Sequence, residues 1–181
     1  MGDLMRNLRN NKRNVLNHLE RDLCGISDST CPSQFECGTL FASHGWHFED
    51  HYLYSIHFHH CGSAKQWYSV PALKAKQFEE AAEKYAPRVF EQTPDILCHS
   101  TTHVSPLWLR DQGVPVFKVR QEPGDFIVTF PQSYHCSFDT GFSIAESANF
   151  GTADWLCYGL KCVERYRSLL HLSRFFLQNH I

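Results

Sequence analysis

In the segment Trp46-His47-Phe48-Glu49-Asp50, an imidazole and a carboxylate stand two residues apart at His47 and Glu49. Side chains alternate across a β-strand, so this pair projects to one side while Phe48 turns to the other. One more imidazole would complete the two-histidine, one-carboxylate set that grips non-haem Fe(II) on one face and leaves the opposite face open. His135 is the candidate, in PQSYHCSF directly after the apolar run DFIVTF. An H-x-E pair on its own is commonplace and gains weight only from its companions. Lys65 is one such companion. A lysine on a strand beside a metal can hold one end of a dicarboxylate whose other end chelates the iron, with Trp67 as a wall. Charge-assisted bonds of this kind are strong when the carboxylate is desolvated. Taken singly, Lys65 also reads as a surface lysine in a hairpin.

Such residues need a scaffold that brings distant strands together. The 181 residues suit one domain, and 43% hydrophobic against 20% charged residues excludes a disordered or collagen-like chain. The net charge of −2 gives no global attraction to nucleic acid or to an anionic membrane, and the basic run Arg6, Arg9, Lys12 and Arg13 reads as a solvated end. Twelve histidines and 14% aromatic residues tilt the balance toward a metal or cofactor pocket. The eight cysteines are scattered without C-x-x-C and without an apolar leader, which points to a reduced, intracellular setting. No apolar run approaches the ~20 residues that span a bilayer.

Hydrophobic patterning predicts a helix over residues 14–24, then strands at 39–41, 47–60 and 66–70 with a tight turn at Gly62. A helix over residues 71–85 is expected to bury Leu73, Phe78, Ala81, Ala82 and Tyr85, and LWLRDQG forms a second short helix capped by Gly113. Strands resume in PVFKVRQ, DFIVTF, residues 134–138 and SIAESANF. A last helix over residues 157–177 carries Leu160, Val163, Tyr166, Leu169 and Leu170 on one stripe. The organisation expected is a helix and loop over 1–34, a core over 35–156 with a helical insertion at 71–112, and a helix over 157–181. Many short strands that do not alternate with helices make this a mainly β fold with flanking helices, a barrel or double-sheet jelly roll rather than a βαβ sheet.

Four blocks in order, WHFEDHYLYSI, GSAKQWYSVP, QEPGDFIVTFPQSYH and GFSIAESANFGTADW, resemble the JmjC domain of the jumonji histone lysine demethylases. The resemblance implies a double-stranded β-helix of the cupin-like jelly-roll kind. It carries iron ligands onto His47, Glu49 and His135, and the lysine for the distal carboxylate of 2-oxoglutarate onto Lys65. The aromatic wall falls on Trp67, further cosubstrate contacts on His57 and Thr129, and a polar pair beside the iron and the substrate nitrogen on Ser147 and Asn149. The implied reaction uses Fe(II), O2 and 2-oxoglutarate to hydroxylate an N-methyl group of a histone lysine, releasing formaldehyde and succinate. The implied partner is a methylated histone tail in the nucleus, with neither sequence-specific nucleic-acid binding nor a membrane. In such a site the metal performs the hard step, while the protein supplies ligand geometry, orientation and a dry pocket.

Some positions depart from the family pattern. His57 replaces an asparagine whose amide helps hold the chelating end of 2-oxoglutarate, and imidazole differs in shape and titrates near neutrality. His44 replaces a phenylalanine, so both changes add polarity to the cosubstrate pocket. Glu36 takes the place of a tyrosine that helps cage the methylated ammonium; a carboxylate attracts that cation without the cation-π shell. His99 falls on a zinc-ligand position, but Thr93 stands where a cysteine belongs and Cys157 and Cys162 form no C-x-C, so no structural zinc is expected. Cys98, His99 and His103 read as loop residues, and of the adjacent His59 and His60 at most one faces the iron. The alternative reading is a JmjC module that binds chromatin or a protein partner with weak or no turnover; a third is a hydroxylase of a non-histone side chain.

Overall fold

Along Tyr134–Asp139 (YHCSFD), Tyr134, Cys136 and Phe138 alternate with the polar His135, Ser137 and Asp139, and the fold exploits both faces of that strand. His135, Ser137 and Asp139 are buried on one side, while Tyr134 on the other packs its ring 4.3 Å from that of Phe78. The computed structural model describes residues 33–179, with side chains as far as residue 169; the helix expected over 14–24 lies outside them.

Among the described residues eight strands follow in chain order: β1 (Gln34–Gly38), β2 (Ser43–His47), β3 (Tyr54–Gly62), β4 (Lys65–Val70), β5 (Phe117–Gln121), β6 (Phe126–Thr129), β7 (Tyr134–Asp139) and β8 (Ser143–Phe150). They form two four-stranded antiparallel sheets, ordered β1-β8-β3-β6 and β2-β7-β4-β5. This is the double-stranded β-helix of the cupin-like jelly roll, with helices α1 (Ala75–Tyr85), α2 (Pro87–Gln92), α3 (Pro106–Asp111) and α4 (Leu156–Asn179).

The two sides of the second sheet differ in chemistry. Its outer face, with Trp46, Val70 and Tyr134, packs against Phe78, Leu109 and Cys162 of the helices to form the hydrophobic core. Apart from Trp67, the strand residues buried between the sheets are largely polar, among them Ser55, His57, Lys65, Gln121, Thr129 and His135. Burial of polar groups is costly unless they are hydrogen-bonded, so a polar barrel interior backed by an apolar core marks the interior as the place for chemistry.

Several local expectations need correcting. The predicted strand over 47–60 is two strands: β2 ends at His47, a 3-10 turn spans Asp50–Tyr52, and β3 starts at Tyr54. His51 and Tyr52 each take φ of 54°, which ends the extended run and brings the Tyr52 ring to 4.7 Å from Phe48. Residues 39–41 are a turn between β1 and β2, with Phe41 at φ 64°. Leu73 is 97% exposed because Ala72–Lys74 is a 3-10 turn, whose three-residue period rotates it off the buried side of α1, and Tyr85 at that helix's end is exposed as well. On α4, Leu160 and Val163 are exposed, and the packed stripe runs through Tyr158, Cys162 and Tyr166. An aromatic and cysteine stripe at i, i+4, i+8 competes with the aliphatic one and reaches the core. Gly62 makes the β3–β4 turn at φ 102°, a conformation open to glycine and costly for other residues.

Candidate metal and cosubstrate site

Glu49 is positioned by what comes before and after it. β2 contributes His47 as its last residue, paired across the sheet with His135 of β7. Glu49 follows in extended conformation (φ −66°, ψ 146°), so the two-residue spacing still sends His47 and Glu49 to one side although the strand has ended. Phe48 turns the other way into the core, 5.4 Å from the ring of Tyr134. Each residue of the candidate set is therefore flanked by a buried aromatic anchor. Arg165 of α4 secures both anchors: it lies 4.9 Å over Phe48, and its Nη1 and Nη2 donate to Glu79 (2.5 Å) and the Tyr134 hydroxyl (3.2 Å).

The donor atoms of His47, Glu49 and His135 all lie within 4.8 Å of one another. His135 Nε2 is 3.1 Å and His47 Nε2 3.9 Å from Glu49 Oε1. Nδ1 of His47 donates to the Gly45 carbonyl (2.8 Å), and Nδ1 of His135 to the Ser133 carbonyl (3.1 Å). A carbonyl only accepts, so it fixes the proton on Nδ1 and turns both Nε2 atoms toward Glu49; this orienting bond is the usual partner of a metal-binding imidazole. The second carboxylate oxygen of Glu49 accepts from Asn149 Nδ2 (2.8 Å), leaving Oε1 toward the imidazoles. Burial, with His135 beside it, lowers the pKa of His47 to about 4, so the ring is neutral at pH 7. Burial would raise that of Glu49, but its close contact with His135 and the neighbouring His47 and His57 rings hold it well below the usual carboxylate range. Two imidazoles and an ionised carboxylate converging on one point suit a divalent cation.

Gly45 has a steric duty here. A Cβ on it would come within 2.7 Å of the Ser100 and Thr102 backbone, against which β2 is hydrogen-bonded. Ser100, with Cys98 and His99, thereby closes one wall of a cavity of about 280 Å³ that is also lined by His44, His47, Glu49 and Asn149. Cys98 and His99 thus line the cavity, where the sequence reading makes them ordinary loop residues.

The cosubstrate candidates lie deeper between the sheets. His57 sits between two carboxylates, 4.0 Å from Glu49 and 3.9 Å from Glu36, and burial nevertheless lowers its pKa to about 4. Its Nε2 meets Ser55 Oγ (2.9 Å), which in turn meets Thr129 Oγ1 (2.5 Å). Trp67 stands edge-on to His57 at 4.8 Å and donates from Nε1 to Gln121 (2.8 Å). Lys65 is buried, and its Nζ is 2.9 Å from Glu36 Oε2 and 3.8 Å from Asp139 Oδ1. Ser147 Oγ donates to the other oxygen of Glu36 (2.9 Å). Of the three substrate candidates, Glu36 is turned inward onto the lysine, Ser147 supports Glu36, and Asn149 supports Glu49. Of the adjacent histidines, His59 is fully buried with neither ring nitrogen hydrogen-bonded, and His60 pairs with Glu146 at 3.1 Å.

Sequence reasoning overlooks Ser55, Gln121 and Asp139. A signal existed for Ser55, which precedes His57 by two residues on β3 and so shares its face. Gln121 and Asp139 carry no local signal; only the pairing of Lys65 with both of them across β4 exposes their place.

Residues 34–150 match the family described as JmjC domain, hydroxylase. Lysine-specific demethylase 5B of Gallus gallus is 41% identical over 169 residues, 93% of this chain and 11% of that protein. Lysine-specific demethylase JMJ17 of Arabidopsis thaliana is 48% identical over 130 residues, 72% of this chain and 11% of that protein. Lysine-specific demethylase 5D of Pan troglodytes is 41% identical over 157 residues, 87% of this chain and 10% of that protein. The chain spans about a tenth of the length of these relatives. The family match opens on the first residue of β1 and closes on the last of β8, so the likeness is to the two sheets that carry the site, and the chain belongs to the JmjC domain family.

Proposed function

We propose that this chain is the catalytic portion of an Fe(II)- and 2-oxoglutarate-dependent dioxygenase that removes methyl groups from histone lysines, acting in the nucleus on a methylated histone tail. The observation that carries the proposal is the convergence of His47, Glu49 and His135 with both Nδ1 protons pinned to backbone carbonyls. His47, Glu49 and His135 would hold the iron, which when bound supplies oxidation of an N-methyl group coupled to decarboxylation of 2-oxoglutarate, giving succinate and formaldehyde. The chain's own residues orient and exclude. Asn149 fixes the rotamer of Glu49, and Trp67 and Thr129 shape the space beside His57. The Phe48 and Tyr134 anchors limit movement of the ligand set.

The test is direct. Protein supplied with Fe(II), 2-oxoglutarate and ascorbate should release succinate, and formaldehyde when given a methylated histone peptide. His47→Ala and His135→Ala should each abolish turnover together with metal binding. No turnover across a panel of histone peptides, with metal bound, would defeat the proposal. One observation favours the second reading, a module that binds chromatin or a protein partner with little turnover: Lys65, the lysine for the cosubstrate, is already engaged by Glu36. Partner binding that persists in His47→Ala with no succinate from the parent protein would establish that reading instead.

A further inference from the structure

Two carboxylates of the protein already surround Lys65. Glu36 Oε2 approaches Nζ to 2.9 Å, and Asp139 Oδ1, itself held by Ser143 at 2.8 Å, lies at 3.8 Å. The lysine side chain is only 5% exposed, so no bulk water competes for its charge. Glu36 is held at both ends, by Lys65 on Oε2 and by Ser147 on Oε1. The cavity in front of the metal set is lined by Glu36, His57 and Ser147 but not by Lys65, which lies behind the glutamate. With Glu36 in this position, the residues do not fit a dicarboxylate whose far end is meant for Lys65: the incoming anion would join two anions around one cation in a desolvated space, where like charges repel most strongly.

Resting on the dioxygenase reading, we infer that Glu36 is a specificity-determining residue, an internal carboxylate that competes with 2-oxoglutarate for Lys65 and must swing out before the distal carboxylate can bind. The swing is feasible. Glu36 lies on β1, the edge strand of its sheet, and its side chain is 19% exposed, so a change of rotamer takes the carboxylate to solvent without moving the backbone. The competition therefore weakens binding without forbidding it. It bears only on ligands with a far anionic group: a 2-oxo acid of the same length without one, such as 2-oxopentanoate, has no claim on Lys65 and meets no competition.

The test measures binding, with Mn(II)-loaded protein under anaerobic conditions titrated calorimetrically with 2-oxoglutarate and with 2-oxopentanoate. Glu36→Gln removes the charge and keeps an acceptor for the lysine. It should tighten 2-oxoglutarate by about tenfold or more, the worth of one charge-assisted bond no longer contested, and shift 2-oxopentanoate by less than about twofold. Ser147→Ala, which frees one end of Glu36 without touching the ion pair, should tighten 2-oxoglutarate in the same sense by a smaller factor, and it carries the test should Glu36→Gln fail to fold. In a Lys65→Met background, Glu36→Gln should lose its selectivity for the diacid. Unchanged or weaker 2-oxoglutarate binding in Glu36→Gln, or equal tightening of both acids, overturns the inference and leaves the dioxygenase reading standing. Failure of 2-oxoglutarate to bind the metal-loaded parent and every variant ends both.

Discussion

Replacing Lys65 by methionine keeps the length of the side chain and deletes its charge, leaving Glu36 and Asp139 to face one another inside the barrel. The distances set the scale: at 2.9 and 3.8 Å, with side-chain exposures of 5% for Lys65, 19% for Glu36 and 6% for Asp139, both pairs are largely shielded from water. Removing one partner of a buried pair typically costs about 3–5 kcal/mol, most of it the burden of the charge left behind. Glu36 can turn partly to solvent, which reduces that burden, so about 2–4 kcal/mol is expected for Lys65→Met at pH 7. The assay is urea unfolding of metal-free protein in a double-mutant cycle with Glu36→Gln. Because the glutamine carries no charge, the double mutant should recover a coupling of at least about 1 kcal/mol relative to the sum of the single changes. The pH dependence supplies a second check. Burial alone would raise the pKa of Glu36, but Lys65 outweighs it and the pKa lies below that of a free carboxylate. A group depressed in the folded state stabilises fully above its unfolded pKa, near 4.3 for glutamate, and loses that contribution as pH falls through the folded value. The gap between parent and Lys65→Met should therefore stay constant from pH 7 to about 5 and narrow below it. A cost under about 0.5 kcal/mol at pH 7, or strict additivity in the cycle, would refute the view that Lys65 is held by an internal anion.

Three further outcomes test the support around the site. Asn149→Ala removes the bond that fixes Glu49 Oε2 and should weaken Mn(II) or Co(II) affinity about 10- to 100-fold in a calorimetric titration; a change within twofold would mean that Asn149 does not position the carboxylate. Arg165→Met breaks the contacts that tie α4 to Glu79 and Tyr134 and should cost about 1–3 kcal/mol in urea unfolding, with metal affinity falling as the Phe48 and Tyr134 anchors loosen. Burial pushes the Cys136 thiol up to about 12, so iodoacetamide at pH 8 should label exposed Cys37 and Cys61 well before Cys136, read by peptide mass mapping; equal labelling would contradict the packing of β7.

What the sequence determined by itself is the part of this protein that depends on short-range periodicity. Two-residue alternation sends His47 and Glu49 to one side even across the end of β2, and the order of four blocks marks the jelly roll and the residues that meet within it. Where local signals compete, the sequence misleads: a 3-10 turn exposes Leu73, and α4 packs Tyr158, Cys162 and Tyr166 rather than Leu160 and Val163. Which partners the buried charged side chains of Glu36, Lys65 and Asp139 meet was settled only by the tertiary structure. Glu36 and Lys65 are 29 residues apart, and nothing local couples them. They meet because strands from both sheets enclose one desolvated space, in which a buried cation takes the nearest anion available, and here the protein provides that anion itself.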